Sequence, residues 1–356
     1  MHRTGTAGIR GASHQLRRLS AATGLIIAIG AASAGPAWSA TAELVGDTVS
    51  YRAGAGEANE LLVRGSEPGI VFHDAGATIT AGAGCTALAD GGVECGSGLA
   101  WEDVPSRIEI RLGDRDDHVR SEVAGPIAQV IEIAGGRGSD TLHSGSGTGN
   151  THVLSGGRGN DHLITMTNNI GDATLIGGPG DDVLENLEGG SASFYGGPGD
   201  DAVDVGSHGV VPVISGGPGA DLYSAGFFSD PSALLVGAIR PGPGTDTLSA
   251  ATTDGPLTID LVACGGCVEN VIGSAHADTI LGNGGANVLL GGAGNDLLDP
   301  RGGRDRVAGE DGDDQIELRD GRLDGASCGE GVDQVNADAN PADAIAADCE
   351  QVVRGS

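Results

Sequence analysis

The chain has 356 residues and sets 49 acids against 19 bases, all of them arginine, for a formal charge of −30. That balance excludes nucleic acid and anionic membrane as partner surfaces and favours cations. Aromatic residues make up 3% while glycine fills 66 positions, which excludes a thick aromatic core and points to constantly recurring turns or to a disordered acidic chain.

Residues 1–39 hold four arginines and no acid, and so the rest of the chain is more negative still. Arg3, Arg10, Arg17 and Arg18 precede an apolar run over 25–34, followed by small residues around Ala37, Ser39, Ala40 and Ala42. This is the layout of an export signal, too short to anchor in a bilayer. The general secretory route and, through Arg17-Arg18, a twin-arginine route both remain open. No second long apolar segment follows, so no membrane span is expected.

Residues 40–103 carry no repeat. Alternating stretches at 48–52, 61–64 and 70–73 predict short antiparallel strands, read as a small β cap over whatever follows.

From 104 to 317 a nine-residue motif recurs in phase. It reads GGRGSDTLH from Gly135, GGRGNDHLI from Gly156, GGPGDDVLE from Gly177, GGPGDDAVD from Gly196, GGPGADLYS from Gly216 and GGAGNDLLD from Gly291. The pattern is Gly-Gly-x-Gly-x-Asp-x-aliphatic-x, and its fixed aliphatic phase argues against simple disorder. Between 112 and 249 the starts lie roughly twenty residues apart; from 273 five units follow without a gap. The nine residues before each widely spaced start keep an apolar residue at their eighth place, at Ile133, Leu154, Leu175, Phe194, Ile214 and Ile239, but lack the Asp. They read as silent half-turns, with surface inserts absorbing the irregular spacing.

Six glycine-rich residues make a turn, and the next three a short strand whose middle side chain points inward. Inward positions are then Val119, Leu142, Leu163, Leu184, Val203, Tyr223, Leu248, Ile280, Leu289, Leu298, Val307 and Ile316. Two units close one coil, and the coils stack into two parallel sheets across a narrow aliphatic core. The sixth-place side chains stack in a file about 5 Å apart, the spacing of neighbouring strands, and repel unless a cation lies between them.

These residues resemble the RTX, or haemolysin-type calcium-binding, repeat family. The resemblance implies an all-β, right-handed parallel β-roll with small β caps at both ends, holding several Ca2+ ions between successive turns. Carried over by position, the metal-site aspartates are Asp140, Asp161, Asp182, Asp201, Asp221 and Asp246, then Asp278, Asp296, Asp305 and Asp314. The turn glycines are Gly136, Gly138, Gly157, Gly159, Gly178, Gly180, Gly197, Gly199, Gly217, Gly219, Gly292 and Gly294. The expected bridges join the turns starting at 135, 156, 177, 196, 216 and 241 in succession. In the second array they join 273 with 291, 291 with 309, and 282 with 300. The sequence departs from the motif at Asn287, at the Pro-led turn from 241, and at Arg304 and Arg115, both read as replacing the second glycine. Asp117 is a weak candidate. Asp181, Asp200 and Asp313 are expected to face solvent.

Residues 318–356 read as a C-terminal cap with a decayed repeat, CGEGVDQVN from Cys328, in which Asp333 and Val335 keep the phase. Six cysteines allow fifteen pairings, and position favours Cys85 with Cys95, Cys264 with Cys267, and Cys328 with Cys349, structural bridges suited to an exported chain. The histidines, among them His118, His143, His152, His162, His208 and His276, are scattered and expected at the surface.

The expected function is that of a secreted, non-catalytic protein that folds on extracellular calcium. The alternative is a calcium-dependent adhesin or matrix component on a cell-wall or polysaccharide partner. A lesser alternative is an extracellular hydrolase or polysaccharide-modifying enzyme; the chain holds no His-Glu-x-x-His motif.

Overall fold

A computed structural model describes residues 39–355, apart from 67–68, 100–104, 124–129, 146–148, 167–170, 188–189, 207–212, 225–238, 264, 266–267 and 340–342. The export signal, the Cys264–Cys267 bridge and His208 fall outside the described residues.

Among the described residues every regular element is a strand, and the strands form three sheets of 10, 16 and 6 members. The first sheet stacks Thr48–Arg52, Arg107–Asp114, Val130–Arg137, Thr151–Arg158, Asp172–Ile176, Ser191–Tyr195, Ile214–Ser215 and Ile239–Arg240 in parallel. The second alternates with it along the chain, from Glu60–Ser66 and His118–Glu122 through Thr247–Ser249, and then continues to Ala344–Ile345. Beyond Arg240 the first sheet ends, and a third, from Thr258–Asp260 to Gln351–Gly355, takes over as the alternating partner. The result is a parallel β-solenoid, the roll expected from the motif.

Its core follows from strand alternation. Leu142, Leu163, Leu184, Val203, Tyr223 and Leu248 lie in register, each beside its equivalent one coil away, and all are buried. The opposing sheet presents Ile110, Ile133, Leu154, Leu175, Phe194, Ile214 and Ile239 in the same way. Past the change of sheet the ladder runs through Ile259, Ile280, Leu298, Ile316 and Val335. Each coil contributes only a few aliphatic side chains, so its apolar surface is covered only when neighbours stack on it.

The glycines make that stacking close enough. Gly159 sits at φ 124°, and a Cβ there would lie 1.9 Å from the carbonyl oxygen of Gly138 in the preceding coil. Non-glycine residues reach positive φ at three places among the described residues, Arg115, Arg301 and Glu310. Each stands at a motif glycine. This corrects the reading of the turn from 300, where Arg301 and not Arg304 replaces the second glycine; Arg115 replaces the third.

Residues 40–99 share these sheets. Thr48–Arg52 pairs with Arg107–Asp114 and Glu60–Ser66 with His118–Glu122, both parallel, so a coil without the motif precedes the first recognisable repeat. Antiparallel pairs cover its outer side, Ala40–Val45 on Thr48–Arg52 and Gly69–Asp74 on Glu60–Ser66. Cys85 and Cys95 are bonded across the hairpin of Cys85–Ala87 and Val93–Cys95. At the other end, Cys328 is bonded to Cys349.

Among the described residues one histidine, His152, is fully buried instead of lying at the surface. It sits between Ile131 and Ala173 in the first sheet, and burial lowers its pKa to about 4, which keeps the ring neutral. The inner ends of the neighbouring second-sheet strands are polar too, with Ser121, Ser144, Thr165 and Asn186 in register and buried.

Connections from the first sheet to the second are the motif turns. The connections that return from the second sheet to the first carry the inserts, and their lengths vary.

Candidate metal centre

The sixth residue of each motif turn comes immediately before a strand, so parallel stacking brings these side chains one above another. The backbone N–H of Asp140 donates to Asp161 Oδ1 at 2.8 Å, that of Asp161 to Asp182 Oδ1 at 2.8 Å, and that of Asp182 to Asp201 Oδ1 at 2.8 Å. Asp201 donates in turn to Asp221 Oδ1 and Asp221 to Asp246 Oδ1, both at 2.9 Å. Upstream the same file begins with Asn59, whose N–H meets Asp117 Oδ1 at 2.6 Å, and Asp117 then meets Asp140 at 2.9 Å.

The file does not stop at Asp246. Its N–H donates to Glu269 Oε2 at 2.8 Å, and Asn287 beyond it donates Nδ2 to the Glu269 carbonyl oxygen at 2.9 Å. The N–H of Asn287 meets Asp305 Oδ1, that of Asp305 meets Asp324 Oδ1, and that of Asp324 meets Asp343 Oδ1. A second file lies before the strands of the third sheet and joins Asp278, Asp296, Asp314, Asp333 and Glu350. Thus Asp305 continues the first array, while Asp278, Asp296 and Asp314 form a separate stack.

One carboxylate oxygen is satisfied in this way and the other is not. Oδ2 of Asp117, Asp140, Asp161, Asp182, Asp201, Asp246, Asp296, Asp305, Asp314, Asp324 and Asp333 is buried with no hydrogen-bond partner. An unsatisfied buried polar group costs about 1–3 kcal/mol, and an ionised one more, so a row of them in one fold requires compensation. Burial is the main reason the carboxyl groups resist ionising, and neighbouring carboxylates add to it. Asp117 and Asp201 are pushed up to about 7, and Asp140, Asp182, Asp221, Asp296 and Asp305 to about 6, despite the opposing hydrogen bond that each accepts. Asp161, Asp246, Asp314 and Asp324 shift upward as well, again chiefly through burial.

In the turns that open with glycine, Oδ2 of Asp140, Asp161, Asp182, Asp201, Asp296 and Asp314 points at that first glycine. A Cβ on Gly135 would lie 2.1 Å from Asp140 Oδ2 and 2.8 Å from the carbonyl oxygen of Gly156, and Gly177 and Gly196 are placed alike. Each of these three turns therefore gathers carboxylate and carbonyl oxygens of adjacent coils around a glycine without a side chain. Hard oxygen donors in flexible geometry are the donor set of Ca2+.

Not every expected ligand is equivalent. Tyr223 Oη lies 3.4 Å from Asp221 Oδ2. Where Ser274 replaces the second glycine, its own N–H takes Asp278 Oδ2 at 2.6 Å, so that Asp closes on its own turn. Asn287 Oδ1 accepts the N–H of Asn283 at 3.0 Å in the same manner, and a neutral amide interrupts the first file there.

Asp181, Asp200 and Asp313 are exposed. They form an outer ladder of opposite direction, in which the later coil donates. Asp200 N–H meets Asp181 Oδ1 at 3.0 Å, Ala220 N–H meets Asp200 Oδ1 at 2.8 Å, and Val332 N–H meets Asp313 Oδ1 at 2.9 Å. The turns ending at Asp201, Asp221 and Asp333 are thus held by side-chain acceptors from both neighbours.

Sequence spacing alone does not reveal Asn59, Glu269, Asp324, Asp343 or Glu350 as members of the files. The signal they share is an acid or amide immediately before a short strand, without the complete Gly-Gly-x-Gly run that normally announces it.

A family model described as the RTX calcium-binding nonapeptide repeat matches the chain in four copies, over residues 132–149, 167–185, 272–307 and 301–322. No curated protein matches the chain. The phased motif, the parallel solenoid and the family match agree: the chain is a parallel β-solenoid that carries four stretches matching the RTX calcium-binding nonapeptide repeat.

Proposed function

We propose that this is a secreted, non-catalytic calcium-binding protein whose roll forms when extracellular calcium neutralises the aspartate files. The observation that carries this reading is the row of buried Oδ2 atoms without partners. Asp140, Asp161, Asp182, Asp201, Asp221, Asp246 and Asp305 would hold ions between turns of the first array, with Asp296 and Asp314 in the second. The turn glycines leave room and supply carbonyl oxygens. Bound calcium supplies positive charge and fills coordination that the turns offer; the protein supplies the geometry.

Export is supported by the arginine-led apolar segment over 25–34 and by the Cys85–Cys95 and Cys328–Cys349 bridges, which persist in oxidising surroundings. Among the described residues no helix is long and apolar enough to cross a membrane. Extracellular calcium modules bind at roughly 0.1–1 mM, well above cytosolic calcium, so folding would await export.

Calcium titration of the full chain, followed by far-ultraviolet circular dichroism and calorimetry, tests the reading. The expected result is a β signal that grows with saturable uptake of several ions. A complete β signal in excess chelator at neutral pH, or no calcium uptake, overturns it.

A further inference from the structure

The turn over 319–324 keeps none of the three motif glycines and nevertheless holds its place in the first file. Arg319 and Asp320 stand where the motif has its glycine pair, and Asp324 stands at the aspartate place. Asp320 therefore puts a carboxylate at the second glycine place, as Glu310 does in the turn from 309.

That carboxylate turns toward the preceding coil. Asp320 Oδ2 accepts the N–H of Gly303 at 3.2 Å, and Oδ1 accepts that of Arg322 at 2.6 Å. Its own N–H and that of Gly321 are held by Asp338 Oδ2, which fixes the turn from behind. One oxygen each from Asp305, Asp320 and Asp324 lies within 4.8 Å of the other two. Two oxygens bound to one calcium at about 2.4 Å can stand at most about 4.8 Å apart, so the trio fits around a single ion.

The trio also has an unmet demand. Asp305 and Asp324 are each only 2% exposed, and the Oδ2 of each is buried without a partner. One arginine of the turn that carries Asp305 is engaged elsewhere: Arg301 makes paired contacts of 2.8 and 3.0 Å with Asp260 and donates to the Gly282 carbonyl. Among the described residues, none of the three carboxylates is ion-paired with an arginine.

We propose that Asp305, Asp320 and Asp324 form a distinct three-carboxylate site for a hard divalent cation, calcium by its donor set, at the junction between the last regular repeats and the C-terminal coils. The proposal rests on the calcium reading above and goes beyond the repeat pattern, because its third ligand occupies a place that the motif reserves for glycine. With three carboxylates where an ordinary pair of turns offers two, the site holds its ion more tightly than the motif sites.

Calorimetric ion counting on the full chain and on Asp320→Asn tests this. The variant should bind a single ion fewer, losing the tightest step of the titration while the remaining uptake persists. An unchanged count and unchanged first step in Asp320→Asn overturn the site while leaving the general calcium reading intact; absence of uptake by the unaltered chain overturns both. Should the variant not fold, crystals of the unaltered chain grown in calcium decide: an ion touching all three carboxylates supports the site, and filled motif turns with no ion on Asp320 reject it.

Discussion

Asp161 and Asp182 lie 21 residues apart in sequence, yet the N–H of the first donates to Oδ1 of the second at 2.8 Å while Oδ2 of each has no partner. The side chain that ties two coils together also leaves a buried oxygen that needs a cation. Stacking and ion demand therefore come from the same atom group.

Acidity should rescue the metal-free fold. Asp117 and Asp201 are raised from 3.8 to about 7 and Asp140, Asp182 and Asp221 to about 6, so these groups favour the folded state below about pH 4 and oppose it as pH rises through 6–7. In chelator, circular dichroism should show β structure near pH 4 and its loss by pH 8. In calcium the trend reverses, since ligation requires ionised carboxylates. A metal-free signal that strengthens with pH contradicts the assignment.

Inner and outer acids should differ. Asp182→Asn keeps an acceptor for Asp161 but removes a file charge, and its calcium midpoint should rise on the order of tenfold, about 1.4 kcal/mol. Asp200→Asn, on the exposed ladder, should change stability by less than about 0.5 kcal/mol. Parallel titrations of the two variants make the comparison.

Gly159→Ala tests coil-to-coil contact. Its Cβ would meet the Gly138 carbonyl at 1.9 Å in a backbone region hostile to side chains, so a loss of at least about 2 kcal/mol is expected in calcium. Gly149→Ala has φ of 84° and nothing within 4 Å, and should cost only about 1 kcal/mol. Denaturant midpoints measured in saturating calcium separate them.

Removing the C-terminal bridge by Cys328→Ser with Cys349→Ser opens a loop whose ends are 21 residues apart. The chain-entropy account gives a loss of about 3 kcal/mol. Equal denaturant midpoints for the variant and the parent in calcium would show that stacking alone seals that end.

The inner face of the roll was readable in advance because a nine-residue period and strand alternation select the same residues, such as Leu163 and Leu298, both buried as expected. His152 was misplaced although it lies two residues before Leu154 and so shares its inward face. The extent of the files was less legible. Membership depends on a partner in the neighbouring coil, and Glu269 reaches the Asp246 N–H with a longer side chain and no glycine signature. Asp324 and Asp343 likewise follow turns that have lost the motif, and only three-dimensional stacking shows their alignment.

Along the first file, successive partners are separated by 21, 21, 19, 20 and 25 residues, while the bond between them stays at 2.8–2.9 Å. The file is thus a ruler that tolerates changes in the number of residues between its marks. Segments of foreign length can be spliced between successive marks without disturbing the ruler, which makes these intervals the natural place for the chain to diversify or to carry a grafted peptide.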